Sequence, residues 1–212
     1  MSGTTPPADA GNVVGNVYDK YRTRNPIARR LMQGFLDAAT ELYRVAAPRR
    51  VLEVGCGEGE LALHLWQQGP RPEHFEICDV DLGRLRPGLP EAIAAREASI
   101  YALPWPDDAF DLVVCCEVLE HLRTPSEGLA ELARVARHHV LLSTPREPLW
   151  RVLNMARGHY LGELGNTPGH VQHWSRRGLG RFARAELRLL AERRPVPWTL
   201  LLGATIREGD DP

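Results

Sequence analysis

The sequence predicts an α/β protein built on a doubly wound, mostly parallel sheet with an antiparallel final strand. Three observations carry that expectation. Short apolar runs alternate with segments of helical period, the pattern of parallel strands joined by right-handed crossover helices. One of those runs passes straight into a glycine-rich loop and then a helix, as cofactor-binding α/β proteins do. The last two runs are joined only by a proline-rich turn, which suits an antiparallel pair closing the sheet. The chain has 212 residues, 43% hydrophobic and 25% charged. These are ordinary globular values, and the length fits one domain or one domain with a modest insert.

Residues 1–25 read as a flexible leader and 26–212 as the domain. Pro26 after Asn25 is a good helix start, with Asn25 as the cap. Leu31, Phe35, Ala38, Leu42 and Val45 then recur at helical spacing until Pro48 stops the run. Residues 51–54 (VLEV) form a strand that enters the loop GCGEG. Residues 60–68 read as a helix, 74–80 as the second strand, and 87–96 as a weak helix. An edge-like strand or extended loop follows at 97–103, then a turn at PWPDD. Residues 110–116 are almost continuously apolar, as a strand buried on both faces should be. A helix at 126–136 carries Leu129, Leu132 and Val135 on one side, and 139–143 is another buried strand. Residues 146–156 read as helical, and a glycine-broken loop follows, holding Tyr160, His170, His173 and Trp174. Ser175 caps a helix to about 185, and 187–193 and 199–206 form the closing pair.

Composition excludes several classes. The 26 basic residues are balanced by 27 acidic ones, for a net charge of −1. That balance argues against a main role in gripping nucleic acid or an anionic membrane. No stretch approaches the roughly 18 apolar residues of a membrane span, and the polar N-terminus lacks the pattern of a signal peptide. Cys56, Cys78, Cys115 and Cys116 form no C-x-x-C pair. A reduced, cytoplasmic protein is therefore expected.

The loop Gly55-Cys56-Gly57-Glu58-Gly59 lets the backbone turn sharply and approach a ligand closely. A dinucleotide fingerprint of the form G-x-G-x-x-G needs glycine at 60, where Glu60 stands. Glu53, two positions before the first glycine, would repel a diphosphate and suits a cationic amine. Asp79 falls 20 residues after Gly59, at the end of the second strand, where a carboxylate can accept both hydroxyls of a ribose. The bland readings are a core ion pair for Glu53 and a helix cap for Asp79. Their joint spacing favours the ligand.

The segments VLEVGCGEGEL, ICDVDLGRL, ALPWPDDAFDLVVCCEVLEHL and HHVLLSTPRE, in this order, resemble the class I S-adenosylmethionine-dependent methyltransferases. CCEVLEHL in particular resembles small-molecule methyltransferases related to the ubiquinone-biosynthesis O-methyltransferases. The resemblance implies a Rossmann-like, seven-stranded sheet and S-adenosylmethionine as cofactor, with S-adenosylhomocysteine as product. It places the methionine part of the cofactor on Glu53, Gly55, Cys56 and Gly57, and the ribose on Asp79 with Val80 and Asp81 flanking. Ser99 and Ile100 stand where many relatives have an aspartate that contacts adenine. Glu117 would lie beside the methionine amine and the transferred methyl. Apart from the resemblance, the segment at about 146–175, with its glycines, aromatic rings and two histidines after the fifth strand, is expected to act as an acceptor lid.

The acceptor side is expected to use His121 as a base for a hydroxyl, or as a helix-start histidine bonded to backbone. His170, His173 and Trp174 are candidate acceptor contacts from the lid, as is Tyr21 from the leader, where plain packing with Tyr18 is the alternative. The arginines from Arg176 to Arg188 read as a solvated face. A metal assembled from Glu117, Glu120 and His121 is the weaker reading, so none is expected. The expected acceptor is a small molecule, without nucleic acid, and the protein a monomer or homodimer. Transfer to nitrogen or carbon, to RNA or protein, or a non-catalytic cofactor-binding module remain alternatives.

Overall fold

A computed structural model describes residues 25–207. Its centre is a seven-stranded sheet of order β3-β2-β1-β4-β5-β7-β6. The strands are β1 (Arg50–Val54), β2 (His74–Asp79), β3 (Ile93–Glu97), β4 (Phe110–Cys116), β5 (Ala136–Pro145), β6 (Leu187–Arg193) and β7 (Trp198–Thr205). Pairs β1–β2, β1–β4, β2–β3 and β4–β5 are parallel, while β7 runs antiparallel to both β5 and β6. The expected fold class is therefore the observed one. The strand order reverses between β1 and β4, and parallel sheets bind ligands at the carboxyl ends of the strands beside such a reversal.

Helix α1 (Pro26–Ala46) starts as anticipated, with the Asn25 side chain accepting from the Ile27 and Ala28 amides. Together with α2 (Glu60–Gln68) it covers one face of the sheet, burying Phe35, Leu42, Leu61 and Leu65 against Val51, Phe75, Leu112 and Val114. Helices α3 (Pro125–Val135) and α5 (Arg176–Ala183) cover the other, where Leu129, Leu132 and Leu179 meet Leu52, Val54, Val113 and Cys115. In β1 and β4 successive residues thus enter opposite cores. This is why their sequences are continuously apolar rather than alternating. Ser175 caps α5 by accepting from the Gly178 amide, as expected.

Residues 87–96 are not helical. A single 3-10 turn at Leu82–Arg84, held by Asp81 Oδ1 on the Gly83 amide at 2.8 Å, takes the place of a helix. Pro87, Gly88 (φ +83°) and Pro90 then prevent helical hydrogen bonding. The third strand starts at Ile93, which is buried and pairs with Phe75, and residues 98–103 are loop apart from a Ser99–Ala102 bridge. The helix anticipated from residue 146 starts only at α4 (Leu149–Ala156). The Arg146 and Glu147 amides instead donate to Pro197 O and Trp174 O, at 2.8 and 2.9 Å. Among the described residues no helix is long and apolar enough to cross a membrane.

Candidate functional site

The glycine loop closes the carboxyl end of β1. The Gly55 and Cys56 amides both donate to Cys78 O at the end of β2, at 2.8 and 3.1 Å. Gly55 has φ +75°, and a Cβ there would lie 2.3 Å from Val118 Cγ2, so only glycine fits. Gly57 also has positive φ, +53°, yet among the described residues nothing lies within 4 Å of where its Cβ would point. Gly55 is glycine because the protein is close, whereas Gly57 leaves an open face above the sheet. The Gly57 amide donates to Asp79 Oδ2 at 2.8 Å, which ties the loop to β2.

Glu53 is 3% exposed at the end of β1. Its carboxylate takes up the Ala62 amide of the first turn of α2, one of the donors a helix start leaves over. Its other oxygen, Oε2, is buried and makes no hydrogen bond among the described residues. Burial first, then the neighbouring negative charge of Asp79, pushes the Glu53 carboxyl up to about 8. A buried acid with an orphaned oxygen beside a second carboxylate is unfavourable on its own and becomes favourable when a cation arrives.

These observations test the fit of S-adenosylmethionine to the crevice. The orphaned Glu53 oxygen suits an ammonium group, and the open face of Gly57 admits a ligand against the backbone. Asp79, half-buried, offers a carboxylate already oriented by the Gly57 amide. Val80 is exposed at the tip of β2. Ser99 Oγ accepts from the Tyr101 amide at 3.3 Å, while the Ile100 side chain is buried in the core with Leu122. The Cys56 thiol is buried, and desolvation with the nearby carboxylates pushes it far above the ordinary thiol range, so it is no nucleophile. The donor set fits the cofactor.

Glu117, just past β4, has a left-handed backbone (φ +62°). Its Oε1 accepts from Ser143 Oγ at 3.0 Å and its Oε2 from Trp198 Nε1 at 2.7 Å. Ser143 lies in the HHVLLSTPRE segment without a role assigned from sequence, and Trp198 lies outside the motif segments. Both arrive from the neighbouring strands β5 and β7, and only the sheet order brings them to Glu117.

His121 closes a 3-10 turn, Leu119–His121. Its Nδ1 lies 2.9 Å from Gly169 O. A carbonyl only accepts, so Nδ1 carries the proton and the lone pair of the neutral ring sits on Nε2. His170, 6% exposed, stands edge-on to His121 with ring centroids 4.9 Å apart. It also stacks on Trp150 at 6.2 Å, and Trp150 packs against Trp198 at 6.0 Å. Behind these tryptophans a cavity of about 290 Å³ lies between the start of α1, α4 and the start of β7. Ile27, Leu31, Met32, Leu153 and Tyr160 make its lining mainly apolar and aromatic.

The remaining anticipated contacts are placed differently. His173 is exposed, with Nε2 2.8 Å from Asn166 Oδ1. Trp174 turns its ring onto Phe182 of α5, centroids 4.6 Å apart, so its packing belongs to that face of the sheet. Tyr18 and Tyr21 lie outside the described residues.

A family model described as a methyltransferase domain matches residues 20–190. The chain is 30% identical over 137 residues to the demethylmenaquinone methyltransferase of Deinococcus radiodurans, covering 60% of this chain and 57% of that protein. It is 28% identical over 145 residues to the ubiquinone biosynthesis O-methyltransferase of Alkalilimnicola ehrlichii, covering 60% and 59%. The chain thus spans less than three-fifths of the length of these two curated relatives. A solved structure of magnesium protoporphyrin IX methyltransferase from Synechocystis PCC 6803, with bound S-adenosylhomocysteine, superposes with a TM-score of 0.65. That match has 16% identity and covers 88% of this chain and 91% of that one; it shows a common fold.

Proposed function

The chain belongs to the methyltransferase-domain family of class I S-adenosylmethionine-dependent proteins, and from that premise we propose that it transfers a methyl group to a hydroxyl of a small-molecule acceptor. The observation that carries the reading is the orphaned, buried oxygen of Glu53 beside the open face of Gly57. A carboxylate held this way awaits a cation, and the methionine ammonium is that cation.

The chemistry the cofactor supplies when bound is a methyl group on a sulfonium, an excellent leaving group that the protein need not activate. The tasks left to the chain are positioning and, for a hydroxyl acceptor, removal of one proton. Glu53 binds the ammonium and Asp79 accepts from the ribose hydroxyls, with Val80, Ser99 and Ile100 bordering the adenine. Glu117 is held rigid by Ser143 and Trp198 on the methionine side. His121, its Nδ1–H committed to Gly169 O, offers Nε2 to the acceptor hydroxyl. The mainly apolar cavity behind Trp150 and Trp198 suits an apolar or aromatic acceptor body. The segment 146–175 covers that acceptor and excludes water.

The test is incubation with S-adenosylmethionine and a panel of hydroxylated, amino and activated-carbon acceptors, with mass detection of a one-CH2 gain. Methylation at oxygen, weakened in His121→Ala, is expected. Transfer to nitrogen or carbon alone would overturn the hydroxyl assignment, and cofactor binding without transfer to any acceptor would favour a binding module.

A further inference from the structure

The cavity behind Trp150 and Trp198 has unlike walls. Helix α1 gives it Ile27, Leu31 and Met32, whereas α4 and the loop after it bring the polar groups of Asn154, Arg157 and Thr167. Among the described residues no aspartate or glutamate lines it. Its volume of about 290 Å³ sits at the small end of ligand pockets, which suits one or two fused rings and leaves no room for a long chain. We propose that this cavity binds an aromatic acceptor carrying a carboxylate, and that Arg157 is the residue that selects the carboxylate. The acceptor role rests on the proposed methyl transfer, whereas binding of the anion does not.

Arg157 follows directly on α4, and two bonds fix its guanidinium. Nε donates to Leu153 O at 3.2 Å and Nη2 to Asn154 Oδ1 at 2.6 Å. The first bond is one that any arginine at a helix end can make. The second ties the group to the cavity wall, because Asn154 is itself held. It is 2% exposed, and its Nδ2 donates to Gly165 O at 2.9 Å and to Thr167 Oγ1 at 3.2 Å. A guanidinium has five N–H donors, so both on Nη1 and one on Nη2 stay available. Among the described residues Arg157 has no acidic partner. A cation oriented in advance, without a counter-ion, at the rim of a mainly apolar cavity attracts an anion with little further ordering cost.

Thr167 supplies a second donor. It is 4% exposed, and its Oγ1 accepts from Trp150 Nε1 at 2.8 Å and from Asn154 Nδ2 at 3.2 Å. Both lone pairs are thereby taken and only the hydroxyl hydrogen is left to give. Among the described residues no group accepts it, so a ligand oxygen is the partner it lacks. One guanidinium and one hydroxyl match the two oxygens and single charge of a carboxylate, whereas a phosphate brings a third oxygen and further charge. The flat body of the ligand lies against Trp150 and Trp198, whose ring centroids are 6.0 Å apart. Trp198 also donates to Glu117, so a carboxylate anchored at Arg157 leaves the rest of the acceptor on the Glu117 side, where the hydroxyl must meet the methyl group.

The experiment is calorimetric titration of the full chain with 6-hydroxy-2-naphthoate and with its neutral counterpart, 6-hydroxy-2-naphthamide, each with and without S-adenosylhomocysteine. The wild type should bind the carboxylate about tenfold or more tightly than the amide, as charge-assisted bonds to an oriented guanidinium require. In Arg157→Gln that preference should shrink to less than about threefold, while amide binding and the thermal midpoint stay near those of the wild type. Arg157→Lys keeps the charge but not the fork and should retain part of the preference. An arginine that only closed the helix would alter stability and leave the ratio untouched. Equal binding of the two compounds by the wild type, binding of neither, or a preference that survives in Arg157→Gln overturns the anion subsite. A carboxylate preference without S-adenosylhomocysteine binding would overturn the proposed function and leave the subsite standing.

Discussion

Replacing Glu53 by glutamine should strengthen the cofactor-free fold while disabling the cofactor site. The carboxyl is buried, one oxygen is orphaned, and burial with the Asp79 charge raises it from 4.5 to about 8. The sign follows from proton counting. Between those values the folded chain holds a proton that the unfolded chain has released, so this group's contribution falls as pH rises through that window. At pH 7 the cost is about 3 kcal/mol, at roughly 1.4 kcal/mol per pH unit. Glutamine keeps the shape and a carbonyl for the Ala62 amide but cannot ionise. Urea unfolding of both proteins without cofactor should therefore show the variant gaining on the wild type steadily from about pH 5 to pH 8. Calorimetric titration with S-adenosylhomocysteine should show the reverse cost. A hydrogen bond to a charged partner contributes about 1.5–3 kcal/mol, so affinity should fall at least tenfold. The wild type should also release close to one proton on binding at pH 7, read from buffers of different ionisation enthalpy, and the variant none. A stability difference flat across that pH range, or unchanged affinity, would refute the reasoning.

Asp79→Ala removes the acceptor assigned to the ribose hydroxyls and the anchor of the Gly57 amide; titration should show a loss in cofactor affinity of tenfold or more, and unchanged affinity would sink the ribose assignment. Trp198→Phe keeps a ring against Phe35 and Trp150 but deletes the donor to Glu117 Oε2. Turnover should drop several-fold, with a stability loss of only about 1 kcal/mol by urea unfolding. Trp174→Ala should destabilise the fold by about 3 kcal/mol through its lost packing on Phe182. Acceptor kinetics changed at full stability would instead assign Trp174 to the acceptor.

What the sequence made legible was local. The strand–glycine–helix passage, Asn25 before Pro26, Ser175 before α5 and the apolar run of β4 all encode their structure within a few residues. The stretch 87–96 misled because its apolar residues resemble a weak helical period, while Pro87, Gly88 and Pro90 deny the hydrogen bonds and the decisive contact, Ile93 on Phe75, is to another strand. The site divides the same way. Glu53 and Asp79 follow from spacing to the glycine loop. Ser143 and Trp198 reach Glu117 only through the order β4-β5-β7, and His170 reaches His121 only through loop bonds spanning about fifty residues. Side chains drawn together by the sheet leave no pattern along the chain.

The most direct measurement is calorimetric titration of S-adenosylhomocysteine into the wild-type chain and into Gly57→Val, with circular dichroism on both. Among the described residues nothing lies within 4 Å of where a Cβ on Gly57 would sit, and the added side chain projects where the cofactor is to lie. The strain of a β-branched residue at φ +53° is about 1–2 kcal/mol, which a domain of ordinary stability tolerates. Binding of one S-adenosylhomocysteine per wild-type chain, abolished in Gly57→Val with the folded spectrum retained, is the predicted result. Equal affinity in the two proteins, or no binding by the wild type, would contradict a cofactor crevice at the carboxyl ends of β1, β2 and β4.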